Sequence, residues 1–117
     1  MIMGELPDLA KVLGVNTSIK RVLYVDEMGF IKADQVRKRW KPLFTMEELA
    51  AYAQSTASRS GETQKWNDIL GAAKYTITIR EKVTVVHFHS EGGTIVVIAA
   101  RRLSQRAIDR IRAVLYF

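Results

Sequence analysis

Residues 73–100 carry the clearest alternation of apolar and polar positions in the chain, and this alternation predicts three consecutive β-strands. The apolar positions of the first strand are Tyr75, Ile77 and Ile79. Polar residues occupy its other side, which suits a strand near the edge of a sheet. The second strand runs from Val83 to His89, and the turn Glu91-Gly92-Gly93 leads into the third, Thr94 to Ala100. Because the third strand is apolar on both faces, we expect it in the middle of the sheet.

The first third of the chain predicts a short helix followed by a β-hairpin. Residues 7–15 have the apolar spacing of an amphipathic helix. Ile19 to Asp26 is dense in apolar residues on both faces and predicts an interior strand. Glu27-Met28-Gly29 forms the turn, with Gly29 at the left-handed position, and Phe30 to Asp34 returns as a shorter edge strand.

A long helix is predicted between the hairpin and the three strands, after a basic connector at residues 35–44. Thr45 and Glu48 have the spacing of a capping box, and helical periodicity continues to a stop at Gly71. Ser, Thr and Gly weaken the helix between Ser55 and Gly61, so a bend is expected near Gly61. A last helix, Gln105 to Leu115, is capped by Ser104.

Composition predicts one globular domain spanning residues 1–117. The absence of cysteine excludes disulfides and cysteine-ligated metal clusters. No stretch has the length and hydropathy of a transmembrane segment, and residues 1–13 lack the apolar core of a signal peptide. We therefore expect a cytoplasmic protein.

The net charge of +6 is uneven, because residues 59–117 contain ten Lys or Arg against five Asp or Glu. Two basic clusters are candidate partner-binding patches. Their residues are Arg37, Lys38, Arg39, Trp40 and Lys41 in the connector, and Arg106 and Arg110 on the last helix. Such clusters bind nucleic acid, anionic lipid or acidic proteins. The alternatives are a solvated basic surface and a Trp40 that packs back onto the domain.

Candidate chemistry is sparse. His87 and His89 are two residues apart on one predicted strand and share a face, and Glu91 would complete a His-x-His-x-Glu pattern. That pattern lacks a fixed fourth ligand, so two half-exposed histidines are the expected outcome, with no metal and no cofactor. No nucleophile or acid–base signature is present, and we expect no catalytic residue and no enzymatic activity.

The order of elements, αββαβββα, resembles the roadblock family, relatives of the dynein light chains, the Ragulator scaffold subunits and bacterial regulators of polarity GTPases. The matching stretches are residues 25–31, 48–53 and 92–98. The resemblance implies an α+β sandwich with a five-stranded antiparallel sheet ordered 2-1-5-4-3. It also implies that the long helix covers one face and the terminal helices the other.

The resemblance further implies a homodimer, in which the edge strand pairs with its copy while the long helices pack together. Residues of the expected interface on this strand are Tyr75, Thr76 and Thr78. On the long helix, a stripe of mostly small residues permits close approach of a partner helix: Ala50, Ala53, Gln54, Ala57 and Gly61. Packing of this stripe on its own sheet is the alternative. The leading hypothesis is a non-enzymatic homodimeric scaffold or regulator that binds a small GTPase. A basic nucleic-acid-binding module is the rival hypothesis.

Overall fold

The structure is a computed structural model that describes residues 7–90 and 92–116. Within them lie four helices and five strands. The helices are α1 (Leu9–Leu13), α2 (Met46–Gln64), α3 (Asn67–Leu70) and α4 (Gln105–Tyr116). The strands are β1 (Ile19–Asp26), β2 (Ile31–Val36), β3 (Tyr75–Ile79), β4 (Thr84–Ser90) and β5 (Gly93–Ala99).

The strands form one antiparallel sheet in the order β2-β1-β5-β4-β3, as the resemblance implied. All seven residues of β5 are buried, and so are the apolar residues of β1, because these central strands are covered on both faces. β2 and β3 form the two edges, and both are more exposed. The strand positions predicted from apolar patterning are therefore confirmed.

Helices cover the sheet on both sides, and each side has its own apolar core. Alternate residues of β1 and β5, such as Val22 and Ile95, pack with α1 and with the Ile108 and Ile111 face of α4. The intervening residues, such as Leu23 and Val96, pack with Leu49 and Ala53 of α2. The sandwich of α2, sheet and terminal helices agrees with the prediction.

Local sequence signals set the ends of the helices. The Thr45 hydroxyl accepts a hydrogen bond from the Glu48 amide at 3.1 Å, and the Glu48 carboxylate accepts one from the Thr45 amide at 2.8 Å. This confirms the capping box. The hydroxyl of Ser104 caps α4 by accepting a hydrogen bond from the Ala107 amide at 3.1 Å.

The ends of β2 and of the long helix differ most in packing from the prediction. β2 continues to Val36, because Gln35 and Val36 pair with β1 where a connector was expected. The long helix passes through Gly61 without a break and ends at Gln64, and the short α3 follows. Burial of Thr56 and Ser60 on the inner side of α2 outweighs the low helix propensity of this segment. Glu91 lies outside the described residues.

No helix in the described part of the chain is both long and apolar enough to cross a membrane.

Candidate functional site

The strand β3 leaves one edge of the sheet unpaired within the described residues. It pairs with β4 only, and it contains neither proline nor a charged residue that would discourage further pairing. Its side chains alternate: Ile77 and Ile79 are 42% and 55% exposed, while Thr76 and Thr78 are on the other face, toward α2. Tyr75 is half-buried against Phe88. This edge can accept another strand.

A polar groove of about 430 Å³ lies beside β3, between the second half of α2 and the sheet. Hydroxyl side chains dominate its walls, together with two imidazoles and one residue of each charge. On α2 the lining residues are Ser55, Thr56, Ser58, Arg59, Ser60, Glu62 and Thr63, and on the sheet they are Thr76, Thr78, His87, His89 and Thr94.

His87 lies on the floor of the polar groove and is only 8% exposed. Its Nε2 atom is 3.2 Å from the hydroxyl of Tyr52, and the two rings stack with centroids 6.2 Å apart. Burial, with smaller contributions from His89 and Arg59, lowers the pKa of His87 from 6.5 to about 4. The imidazole is therefore neutral at neutral pH.

His89 is next to His87 on the same face of β4, as the alternation predicted. Its Nε2 atom is 3.1 Å from the hydroxyl of Thr76, and its Nδ1 atom is buried without a hydrogen-bond partner among the described residues. Burial lowers the pKa of this imidazole as well.

The two histidines do not form a recognisable catalytic or metal site in the described part of the chain. No group of three or more His, Asp or Glu side chains comes close enough there to hold a metal ion. Among residues 7–90 and 92–116, nothing supplies the Thr76–His89 pair with the third group that orients the base in a nucleophilic triad, because the Nδ1 atom of His89 has no partner there. The groove is suited to hydrogen bonding with a polar partner.

The stripe of small residues on α2 divides between two surfaces. Ala53 is fully buried on its own sheet, in line with Leu49, Thr56 and Ser60. The adjacent stripe is offset by one residue; its members are Ala50, Gln54, Ala57 and Gly61. Ala57 is half-buried, and the other three are exposed. Through Gln54 this stripe faces the β1–β2 hairpin, on the opposite side of α2 from the groove residues beside β3.

Gln54 also connects α2 to the β1–β2 hairpin. Its amide nitrogen is 3.3 Å from the carbonyl oxygen of Met28 and 3.4 Å from that of Gly29. Gly29 has the predicted left-handed backbone, with φ +88°. A Cβ at this position would come within 2.7 Å of the amide end of the Gln54 side chain, which would have to move aside.

The basic connector does not form one continuous patch. The guanidinium of Arg37 donates hydrogen bonds to the backbone carbonyls of Leu13, Ile19 and Asn16, and thereby connects the end of β2 to the α1–β1 loop. Trp40 is half-buried against the core on the α2 side, which was the alternative considered for it. Lys38, Arg39 and Lys41 are exposed.

Arg106 and Arg110 lie on the outer face of α4, opposite Ile108 and Ile111. Both are exposed, and neither forms a salt bridge with another described residue.

Sequence analysis missed the α2 wall of the polar groove, which includes Ser55, Ser58, Arg59, Ser60, Glu62 and Thr63. This segment was interpreted only as weak helix. The sequence did contain a relevant pattern. Because the helix is expected to cover the sheet, its polar run implies that polar residues of the sheet lie beneath it. The histidines on the predicted strand were the matching polar positions.

Comparison with known proteins gives matches at the level of structure. No protein-family model and no curated protein matches the sequence. An MglB structure described as a tetrameric arrangement matches with a TM-score of 0.70 and 18% identity, covering 91% of this chain and 81% of that one. A Roadblock/LC7 domain from Streptomyces avermitilis matches with a TM-score of 0.65 and 8% identity, covering 90% and 89%. The chain has a roadblock fold.

Other structures with this fold agree with that identification. The gliding protein MglB from Thermus thermophilus matches with a TM-score of 0.66 and 17% identity, over 92% of this chain and 84% of that one. At these identities the likeness establishes the roadblock fold and leaves function to be argued from the chain's own surfaces.

Proposed function

We propose that this roadblock-fold chain is a non-enzymatic cytoplasmic scaffold or regulator that acts as a homodimer and binds a small GTPase. The observation that carries the dimer is the edge strand β3, whose five residues include no charge and no proline and expose Ile77 and Ile79. Edge strands of this kind pair readily with another strand, and natural monomers usually protect them.

A second copy of the chain fits this edge. Antiparallel pairing of β3 with its symmetry mate would extend the five-stranded sheet to ten strands and satisfy the free backbone groups. The same symmetry would bring the two α2 helices together through the side that lines the polar groove, which includes Ser55, Arg59 and Glu62. The stripe of Ala50, Ala57 and Gly61 would lie on the other side of each helix, toward the β1–β2 hairpin that Gln54 contacts.

Self-association is also supported by one of the structural matches, since an MglB with this fold is described in a tetrameric arrangement. The GTPase partner is proposed from the resemblance to the roadblock family, which includes regulators of polarity GTPases. The non-enzymatic role is proposed from the same resemblance.

Sedimentation of an Ile77→Lys variant tests the dimer. Two charged edge strands would repel each other, so the variant is expected to sediment as the 13.3 kDa monomer while the unmodified chain sediments at twice that mass. Phe30→Lys is the matched control, because Phe30 is 56% exposed near the opposite edge of the sheet and should leave the dimer intact. A monomeric parent chain, or an Ile77→Lys dimer, would contradict the proposal.

Binding of purified small GTPases from the source organism tests the partner. Titration calorimetry with the GDP-bound and GTP-analogue-bound forms is expected to show binding that depends on the nucleotide. A dimeric chain that binds none of these GTPases in either form would reject this partner and leave the dimer proposal standing.

The rival nucleic-acid hypothesis has less support. Arg37 is already hydrogen-bonded to three backbone carbonyls, and Trp40 packs against the core, so the connector lacks the exposed aromatic and basic pair that stacks on bases.

A further inference from the structure

Charge is distributed unequally between the helices that cover the two faces of the sandwich. The helix α2 carries three Glu and one Arg. On the opposite face, residues 101–116, which include α4, carry five Arg and one Asp. We infer that the α4 face of this protein binds an anionic lipid bilayer, which leaves the α2 face available for a protein partner.

The shape of α4 determines what its arginines can reach. The inner face of the helix is buried on the sheet through Ala107, Ile108, Ile111 and Leu115, so α4 is held flat against the domain. Arg106 and Arg110 are one turn apart on the outermost line of the helix and project away from the sheet. The helix cannot expose an apolar face for insertion without unfolding, and the contact would be electrostatic.

The outer face of α4 is uncompensated within the described residues. Arg102, Arg106 and Arg110 are exposed and form no salt bridge there. The one acidic side chain of α4, Asp109, accepts a hydrogen bond from Gln105.

A bilayer fits this surface better than nucleic acid does. Recognition of a duplex by a helix requires the helix to enter a groove, whereas α4 lies flat beside α1. Single strands are bound by stacking on exposed aromatic rings. On this face of the described chain Tyr75 is half-buried and Tyr116, 37% exposed, is held by a hydrogen bond from its hydroxyl to the carbonyl of His89, whereas a bound strand stacks successive bases on several rings. A flat array of cations matches the headgroup layer of an anionic membrane.

The inference rests on the proposed dimer in one respect, which is the number of α4 helices that contact the bilayer at once. Antiparallel pairing of two β3 strands about a twofold axis perpendicular to the sheet keeps equivalent faces on the same side. Both α4 helices would then face the same bilayer, and the second contact would follow the first at high effective concentration. The two α2 helices would both face away from the membrane.

Co-sedimentation with vesicles tests the inference. The unmodified chain is expected to bind phosphatidylcholine vesicles that contain phosphatidylglycerol, and to bind pure phosphatidylcholine vesicles much more weakly. Each cation near such a surface raises the partition coefficient about fivefold. Arg106→Glu with Arg110→Glu should therefore lower it by a factor of about ten or more, while added salt weakens the binding of the unmodified chain.

A control pair with the same change in net charge separates the α4 face from overall charge. Arg39 and Lys41 flank Trp40, which packs on the α2 side of the sheet, and both are exposed. Arg39→Glu with Lys41→Glu should change vesicle binding by no more than about twofold, because these residues lie far from the bilayer in the proposed orientation. Equal losses in the two pairs, or no loss in the α4 pair, would overturn the inference.

The remaining outcomes separate this inference from the proposed dimer. Ile77→Lys adds a cation, so weaker vesicle binding by this variant would reflect loss of the second copy. A parent chain that sediments as a monomer but binds vesicles through Arg106 and Arg110 would reject the dimer and support the bilayer. A dimer that does not bind the vesicles would support the proposed dimer and reject the bilayer. Tighter binding to duplex DNA than to vesicles at physiological salt, lost in the α4 pair, would replace the bilayer with nucleic acid.

Discussion

The Nε2 atom of His87 and the hydroxyl of Tyr52 lie 3.2 Å apart and connect the centre of β4 to the helix that covers it. The imidazole is 8% exposed, and its pKa is lowered to about 4, chiefly by burial. A neutral histidine is therefore part of the contact between α2 and the sheet.

We predict that the stability of the fold falls on acidification because of His87. Its pKa is about 4 in the folded chain and about 6.5 when unfolded, so the unfolded chain binds more protons between these values. The contribution of His87 to the free energy of unfolding is fully present above pH 6.5 and is lost as the pH falls toward 4. The total loss is roughly 3 kcal/mol. Urea unfolding at a series of pH values and fixed protein concentration measures it.

His87→Gln is the variant that isolates this effect, because glutamine keeps a hydrogen-bonding group near Tyr52 and does not titrate. Its free energy of unfolding should fall less steeply than that of the unmodified chain between pH 6.5 and 4. His89→Gln should retain most of the dependence on pH, although the lowered pKa of His89 acts in the same direction. An unchanged slope in His87→Gln would contradict the assignment.

Features of the fold that depend on neighbouring residues in the sequence were predicted correctly. Features that depend on contacts between distant parts of the chain were not. Strands β1 and β5 were recognised because both of their faces are apolar, and β3 was recognised as an edge because one of its faces is polar. These patterns are local. The helix break was misplaced because the burial of Thr56 and Ser60 depends on a sheet formed by other parts of the chain.

The site was harder to predict for the same reason. Alternation placed His87 and His89 on one face, but it could not show that the hydroxyl-rich half of α2 lies over them. Tyr52 and His87 are 35 residues apart. Arg37 was grouped with its basic neighbours because its acceptors are the backbone carbonyls of Leu13 and Asn16. Every residue has such a carbonyl, so the sequence does not indicate which ones bind Arg37.

Substitutions at neighbouring alanines of α2 should separate its two stripes. Ala57 is half-buried on the side of α2 toward the β1–β2 hairpin, away from the β3 edge, so Ala57→Glu is expected to leave the chain folded and dimeric. Ala53 is fully buried beside Leu49, so Ala53→Glu would bury an unpaired carboxylate at a cost of several kcal/mol and should unfold the chain. Sedimentation and circular dichroism distinguish the two results. Unfolding of Ala57→Glu would place this stripe in the core, and loss of the dimer would place it in the interface between copies.

Arg37 is predicted to stabilise the fold. Arg37→Ala would remove the Arg37 donor from the carbonyls of Leu13 and Ile19, and from that of Asn16, which keeps its bond from the Ile19 amide, and should lower the free energy of unfolding by roughly 2–3 kcal/mol. Lys38→Ala removes an exposed cation from the same connector and should change it by less than about 0.5 kcal/mol. Urea unfolding of both variants provides the comparison. Similar values for the two would show that the Arg37 hydrogen bonds contribute little.

Gly29 and Gln54 should show energetic coupling between the β1–β2 hairpin and α2. Gly29→Ala places a methyl group 2.7 Å from the Gln54 side chain and strains a backbone with φ +88°, so we expect a loss of about 1–3 kcal/mol in the free energy of unfolding. Gln54→Ala alone removes two long hydrogen bonds and should cost less than about 1 kcal/mol. In the double variant the steric part of the loss disappears and the backbone strain remains, so the two losses should sum to more than the loss measured for the pair. A double-mutant cycle by urea unfolding gives this difference directly, and strict additivity would mean that the Gln54 side chain moves away at no cost.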